Sequence, residues 1–189
     1  MVDVKIEEIV WYYSIRQETF FHLSAYMKTK FPDITLKFVE GLPPTNYTEI
    51  YADRKARVII LDDLMSEICN SNLTDIFTRG SHHLNISIFF LTQNLFFKSK
   101  HSRTINLNTH YLILFKNARD ASAIRHLALQ VFPTNSKYLI QSYEDAVSIP
   151  YGYILLDFKT QDDTFRVRSN ILPEDKVKFV YLPTQQKRI

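Results

Sequence analysis

Short, unbroken runs of aliphatic and aromatic residues alternate along the chain with longer segments in which apolar positions recur every three or four residues. The unbroken runs predict β-strands that are buried on both faces. They are Ile9–Ser14, Val58–Leu61, Ile86–Leu91 and Tyr111–Phe115, with a shorter strand at Leu36–Val39. Strands of this kind separated by helices favour an α/β layered domain with a mainly parallel sheet.

The segments between the strands predict helices, and a late hairpin follows them. The predicted helices are Glu18–Lys30, Ser66–Arg79, Arg119–Val131 and Ser136–Val147. The clearest is Arg119–Val131, where Ile124, Leu127 and Ala128 share one face. Tyr153–Asp157 and Phe165–Arg168 predict the hairpin, with a polar turn at Thr160–Asp163.

Composition excludes several classes of protein. With 189 residues, 46% of them hydrophobic, the chain can form one globular domain. Cys69 is the single cysteine, which rules out an internal disulfide and multi-cysteine zinc sites. The adjacent residues His82 and His83 point in different directions on a helix or strand, and Cys69 and His110 are not at ligand spacing, so we expect no zinc site. Met1–Glu8 is acidic and lacks the apolar core of a signal peptide. No apolar run approaches the ~20 residues of a membrane span, so we expect an intracellular protein of the cytoplasm or nucleus.

Charge is unevenly distributed, although the net charge is only +3. Residues 98–126 hold six Lys or Arg residues against Asp120 alone, a local net charge of +5. Such a stretch can face a polyanion, and the candidates for nucleic-acid contact are Lys98, Lys100, Arg103 and Lys116. The alternative is a solvated basic face with no partner.

Two adjacent acids end the aliphatic run Val58–Leu61. A buried strand followed by Asp62-Asp63 has the form of a Walker B element. On that interpretation Asp62 holds Mg²⁺, directly or through water, and Asp63 is the candidate base that polarises the attacking water. The alternative is structural, because acids often end strands at turns or helix N-caps.

A polar amide ends the next buried strand, about 30 residues after the acids. Gln93 is the candidate sensor that contacts a γ-phosphate or orients water. Thr92 and Asn94 are further candidates for contact with the nucleotide, with the alternative that both are turn formers.

Arginine supplies the third feature of an ATP-hydrolysing site. Arg79 and Arg103 are candidates for a finger that reaches the γ-phosphate of a neighbouring subunit, and Arg119 is a weaker candidate. The alternative for each is a surface salt-bridge residue, which is the commoner role of an arginine.

A phosphate-binding loop is missing from the sequence. The pattern G-x-x-x-x-G-K-[ST] supplies the backbone N–H groups and the lysine that hold the phosphates. The glycines here are Gly41, Gly80 and Gly152, and none is followed by Lys. We therefore expect no ATP hydrolysis by this chain alone.

Several segments together resemble the DNA-packaging ATPases of Maverick/Polinton elements and adintovirus-like viruses. These belong to the FtsK–HerA superfamily of P-loop NTPases and are similar to poxvirus packaging ATPases. The matching segments are Ile60–Glu67, Phe77–Ser87, Leu91–Phe96, Ser102–Ile105, Tyr111–Asp120, Tyr143–Ala146 and Pro150–Tyr153. The resemblance covers about Ile9 to Pro173, which leaves residues 174–189 as a C-terminal tail.

The resemblance implies a motor that uses Mg-ATP to drive double-stranded DNA into a capsid as a ring of identical subunits, in contact with capsid components. It carries the Walker B pair onto Asp62 and Asp63 and the sensor onto Gln93, although many members have Asp-Glu at the pair. It also implies that the first strand, the P-loop and its helix are missing, and that this strand belongs between the Walker B and sensor strands. The alternatives are a non-catalytic remnant that binds DNA or serves an oligomer, and a generic α/β domain.

Overall fold

The computed structural model describes residues 4–64, 75–80, 83–96 and 102–183, with backbone alone at 79–80 and 102–103. The chain separates into two compact units, Met1–Asn108 and Thr109–Ile189. Each unit contains its own four-stranded sheet. The described residues are therefore mixed α/β, and one of the two sheets that they form is entirely parallel.

The first unit is built on the parallel sheet, whose strand order is β2-β1-β3-β4. Its elements are β1 (Glu8–Tyr13), α1 (Thr19–Lys30), β2 (Thr35–Glu40), α2 (Tyr47–Ile50), β3 (Arg57–Asp62), a π-helical turn (Ile76–Gly80), β4 (Ile86–Leu91) and α3 (Ser102–Leu107). The predicted strands are confirmed, each within a residue or two of its expected ends. The predicted helix Ser66–Arg79 falls largely outside the described residues.

One face of the parallel sheet carries the main hydrophobic core of this unit. Ile59 and Leu61 of β3 are fully buried there, beside Val10 and Tyr12 of β1. The residues that cover this face come from α2, the π-helical turn, α3 and the segments beside them, and they include Tyr47, Tyr51, Leu64, Ile76, Leu84 and Ile105. This packing holds β3 along its length, including its carboxyl end.

The opposite face is covered over β1 and β2 by α1. Phe20 of α1 is 5% exposed and stacks on Phe38 with ring centroids 4.4 Å apart. On β4, by contrast, Phe89 and Leu91 are 52% and 42% exposed. The prediction that the Ile86–Leu91 strand is buried on both faces is therefore wrong, because no described helix packs over that side of β4.

The described part of the second unit contains the antiparallel sheet β5-β6-β7-β8 and two α-helices. Its elements are β5 (Tyr111–Phe115), α4 (Ala121–Val131), α5 (Ser136–Ala146), β6 (Tyr153–Asp157), a 3₁₀ turn (Asp163–Phe165), β7 (Val167–Ser169) and β8 (Phe179–Val180). All five residues of β6 are buried, and Ile154 and Leu156 are completely so. The late hairpin is thus confirmed as β6 paired with β7.

Two expectations for this part of the chain are corrected. Tyr111–Phe115 is not a strand of the mainly parallel sheet, because it pairs antiparallel with β6, and its residues Tyr111, Ile113 and Phe115 are exposed on one face. Residues 174–183 of the expected tail include β8, which pairs with β7. The Tyr138 hydroxyl also donates to the Tyr181 carbonyl at 2.6 Å, so this segment packs onto the unit.

Candidate functional site

The carboxyl ends of β1, β3 and β4 meet at one edge of the parallel sheet. In the strand register Tyr13 pairs with Asp62, and Asp62 pairs with Leu91. The residues that follow β3 and β4 therefore begin side by side. Asp62, Asp63 and Gln93 lie together at this edge.

Asp62 is the last residue of β3, and its half-buried carboxylate has a fixed partner. The indole N–H of Trp11 donates to Asp62 Oδ2 at 3.1 Å. Within the described part of the chain, Asp62 Oδ1 accepts no hydrogen bond. One oxygen of this carboxylate is thus held by β1, and the other is open to a ligand.

Asp63 has a left-handed backbone conformation, with φ of 52°. Asp is one of the few residues besides glycine that adopts this region readily. Its amide N–H lies 3.4 Å from the Leu91 carbonyl, so the turn after β3 stays close to β4. The conformation directs the exposed Asp63 carboxylate toward Gln93, whose Nε2 lies 3.4 Å from Asp63 Oδ2. This is a long contact between exposed groups, and either side chain can reorient toward a ligand.

Thr92 and Asn94 bond to each other in the turn after β4. The Thr92 hydroxyl donates to the Asn94 carbonyl at 3.0 Å, and the Asn94 amide N–H lies 3.2 Å from the same hydroxyl oxygen. A Ser or Thr side chain that bonds the backbone two residues later stabilises a turn. This geometry favours the turn-forming alternative for both residues, and it holds Gln93 between them.

Chain topology gives an independent reason to expect a ligand at this edge. From β1 the chain runs outward to β2, then crosses back to β3 on the other side of β1. Ligands of open α/β sheets bind outside the carboxyl ends of strands where the order reverses in this way. Asp62 lies at that reversal, opposite Tyr13.

The carboxylate and amide oxygens at this edge suit a Mg²⁺ ion that takes most of its ligands from water and substrate phosphates. Carboxylate and amide oxygens are appropriate for Mg²⁺, which keeps several waters and takes one or two carboxylates together with substrate phosphates. Among the described residues, no group of three or more His, Cys, Asp and Glu side chains could hold a metal ion by itself. Asp62 and Asp63 therefore fit a shared metal–nucleotide site better than a closed protein cage.

A buried ionic cluster lies at the other end of β1 and β3. Arg57 is 4% exposed and donates to Glu8 and, at 2.5 and 2.7 Å, to the two oxygens of Asp53, while Lys37 lies 2.6 Å from Glu8. Burial by itself raises the pKa of Glu8, but the hydrogen bonds from Lys37 and Arg57 outweigh it and hold that pKa below its ordinary value. The cluster ties β1 to β3 at the amino edge.

Several candidate residues cannot be joined to this site. Lys98 and Lys100 lie outside the described residues, as does His82, and the side chains of Arg79 and Arg103 are likewise not described. Lys116 is exposed just after β5, in the second unit. The finger and the expected DNA contacts of the first unit remain predictions.

Sequence reasoning missed Trp11 as a residue of the site. The run Ile9–Ser14 indicates a strand, but nothing in it indicates which strand lies beside it. A half-buried tryptophan does need a partner for its indole N–H. This requirement is the feature of the sequence that could have indicated Trp11. It identifies Asp62 as the partner only when the pairing of β1 with β3 is known.

Comparison with protein-family models, with curated proteins and with solved structures finds no significant match. None of the helices in the described part of the chain combines the length and the apolar character that crossing a bilayer requires.

Proposed function

We propose that this chain contributes the metal-and-water half of an ATP-driven DNA-packaging motor of the FtsK–HerA type. The observation that carries the proposal is the contact of Asp63 with Gln93 across the paired ends of β3 and β4, next to Asp62. A metal-side acid, a water-side acid and an amide within reach of each other are the groups that such a site needs.

Each side chain has a distinct role in this proposal. Asp62 would hold the Mg²⁺ of Mg-ATP through its open oxygen or through a bound water. Asp63 would accept the proton of the attacking water, and Gln93 would orient that water or contact the γ-phosphate. Mg²⁺, when bound, neutralises charge on the phosphate oxygens.

The phosphate-binding loop has to come from outside these 189 residues, because their three glycines form no such loop. The expected position of its strand, between the Walker B and sensor strands, is wrong because β3 and β4 pair directly. The outer edge of β4 pairs with no described strand. A strand added there would bring its loop beside Gln93.

The remaining parts of the motor rest on the resemblance to packaging ATPases. Arg79 or Arg103 would reach the site of a neighbouring subunit in a homo-oligomeric ring. The substrate would be double-stranded DNA, and the ring would contact capsid components. We expect the motor to act inside the cell, in the cytoplasm or nucleus, or in association with a virion.

The test is ATP hydrolysis by the 189-residue chain and by the same chain extended at its N-terminus with a strand, a GxxxxGK[ST] loop and a helix. The chain alone should show no turnover. The extended chain should hydrolyse Mg-ATP, and Asp63→Asn should lower its rate at least ~100-fold, as expected for loss of a general base.

Asp33→Asn is the matched control, because Asp33 makes an exposed salt bridge to Lys5 near the amino ends of β1 and β2, at the opposite edge of the sheet from Asp63, and should leave the rate unchanged. Hydrolysis that survives Asp63→Asn would refute the assigned role. Hydrolysis by the unextended chain would refute the division of the site into two halves.

A second candidate function is a DNA-binding module without catalysis, and a specific observation favours it. Lys116, Arg119 and Arg125 are exposed near the start of α4. Among the described residues, none of the three makes a salt bridge. Basic side chains of this kind on one segment are suited to the phosphate backbone of DNA.

Binding of a labelled DNA duplex across a salt series tests this second candidate. Replacing Lys116, Arg119 and Arg125 with Gln should weaken binding and reduce the salt slope by about 0.9 for each phosphate that is no longer neutralised. Lys28→Gln with Lys30→Gln, at the end of α1, is the control in a separate basic region. Equal effects of the two sets of substitutions would argue against a specific DNA-facing surface.

A further inference from the structure

Trp11 is held in place by aromatic rings from two other elements. Its ring centroid lies 5.6 Å from that of Phe20 on α1 and 5.9 Å from that of Phe38 on β2. Phe20 and Phe38 stack on each other, and Phe20 also contacts Tyr13 at 5.0 Å. The indole of Trp11 therefore has little freedom to turn, and the direction of its N–H is set by packing.

The strand register brings this N–H to Asp62. Trp11 pairs with Ile60 across β1 and β3, and Asp62 lies on the same face of β3 at the next same-side position. Diagonal neighbours on paired strands are within reach of an aromatic side chain. The resulting bond from Trp11 Nε1 to Asp62 Oδ2 measures 3.1 Å.

The indole group can contribute only a hydrogen-bond donor to this contact. An indole N–H donates a hydrogen bond but cannot ligate a metal ion. The indole N–H therefore occupies one oxygen of Asp62. The other oxygen is free to ligate a cation at one coordination position. Carboxylates that bind metals are commonly oriented by such donors, and loss of the donor typically costs about 10- to 100-fold in metal affinity or activity.

We propose that Trp11 is a positioning residue for a divalent cation at Asp62, orienting the carboxylate for binding through its free oxygen. This inference rests on the proposed function, because it assumes that Asp62 binds the metal. It adds a role for β1 and α1, which otherwise carry no residue of the site. As the single tryptophan of the chain, Trp11 also reports on that site.

The test uses the full 189-residue chain and Mn²⁺ alone, a paramagnetic cation with ligand preferences close to those of Mg²⁺. A ¹H–¹⁵N spectrum contains one indole N–H resonance, that of Trp11. Mn²⁺ on Asp62 should broaden this resonance at low occupancy, and Asp62→Asn should remove the effect. Free Mn²⁺ measured by electron paramagnetic resonance gives the affinity of each variant.

Trp11→Phe should weaken Mn²⁺ binding about 10-fold, the lower end of the range for loss of an orienting donor. Tyr13→Phe is the matched control, because Tyr13 packs on the same Phe20 ring and makes no hydrogen bond to Asp62. Its affinity should equal that of the wild type. Tyr13→Leu is a second control, because it removes a ring that packs on Phe20 and leaves the Trp11 indole in place. Its affinity should also equal that of the wild type, which separates a loss of aromatic packing from a loss of the indole N–H.

The two proposals fail in different ways. If Asp62→Asn abolishes Mn²⁺ binding while Trp11→Phe leaves it unchanged, Trp11 is a packing residue and the proposed function stands. If Asp62→Asn binds Mn²⁺ as the wild type does, the metal role of Asp62 falls, and both proposals fall with it. If Trp11→Phe does not fold, the hydrogen bond can still be tested in the metal-free protein with Asp62→Ala. The indole N–H resonance of Trp11 must shift in that variant if the hydrogen bond exists, and an unchanged resonance would refute the positioning role.

Discussion

Arg57→Met should destabilise the first unit strongly, although Arg57 lies at the opposite end of β3 from the acids. Its side chain is 4% exposed and donates to both Glu8 and Asp53. Its guanidinium also lies 4.9 Å from the centre of the Tyr51 ring. Met fills a similar volume but leaves the carboxylate of Glu8, 8% exposed, without its buried partner.

The expected loss follows from that burial. Removing one partner of a buried ion pair costs about 3–5 kcal/mol, because the remaining charge is left in a poorly solvated place. Lys37 still reaches Glu8 at 2.6 Å from a side chain that is 58% exposed, so we expect the lower end, about 3 kcal/mol. At an m-value of about 2 kcal/mol/M, the urea midpoint should fall by about 1.5 M.

Urea unfolding at about pH 7 followed by the fluorescence of Trp11 measures this loss, because the single tryptophan lies in the first unit. Lys55→Met is the matched control, since Lys55 is 53% exposed and lies 3.8 Å from Asp53. Lys55→Met should change the free energy of unfolding by no more than about 0.5 kcal/mol. The reasoning is refuted if the midpoint of Arg57→Met shifts no further than that of Lys55→Met.

The double variant Glu8→Gln with Arg57→Met separates the two contributions. This variant removes both charges. Its decrease in the free energy of unfolding should therefore be clearly smaller than the sum of the decreases caused by the two single substitutions. The cluster also matters for the site, because Glu8 and Arg57 are register partners. A shift of one residue in the register of β1 against β3 would move the Trp11 side chain away from the face of the sheet that carries Asp62.

The same cluster predicts a pH dependence. Hydrogen bonds from Arg57 lower the pKa of Asp53 to about 2, and the pKa of Glu8 lies below its ordinary value of 4.5. Since both folded pKa values are depressed, their stabilising contribution is complete above the unfolded values and is lost as the pH falls. The wild type should thus lose stability from pH 4.5 toward about 2, and Arg57→Met should lose less over that interval.

Four further substitutions, at three positions, test individual features of the backbone. Asp63→Asn should leave stability unchanged, whereas Asp63→Val should cost about 2 kcal/mol in the Trp11 fluorescence assay, because a β-branched residue is strained at a φ of 52°. Gly152→Ala should cost about 3 kcal/mol by thermal circular dichroism, since its Cβ would lie 2.2 Å from the Ala146 carbonyl oxygen. Gly41→Ala, with φ of +88° and open space around it, should cost only about 1 kcal/mol. Equal losses at the two glycines would contradict the steric argument.

Where strands and helices lie could largely be predicted from the sequence, because burial leaves a local pattern. Val58–Leu61 became β3 with one further residue at each end, Arg57 and Asp62, both of which have polar partners. The helix expected from Arg119 begins instead at Ala121. Asp120 accepts a hydrogen bond from the Ala123 amide and caps that helix, which shortens it at its start.

The candidate site could be predicted in part. Buried strands that end in acids or amides indicate a polar edge wherever the sheet is parallel, and Asp62, Asp63 and Gln93 do lie together. Their catalytic roles stay predictions. Trp11 could not be assigned, because its partner depends on which strand lies beside β1 and in which register.

Most strands and helices, the lack of a phosphate-binding loop and the polar residues at the strand ends can be recognised from the sequence alone. The fold was needed to show that β3 and β4 pair directly, that Tyr111–Phe115 runs antiparallel to β6, and that Trp11 reaches Asp62. This division arises because hydrophobic periodicity records how far each residue is buried. The direction, neighbour and register of a strand depend instead on contacts among residues far apart in the chain, which no local pattern contains.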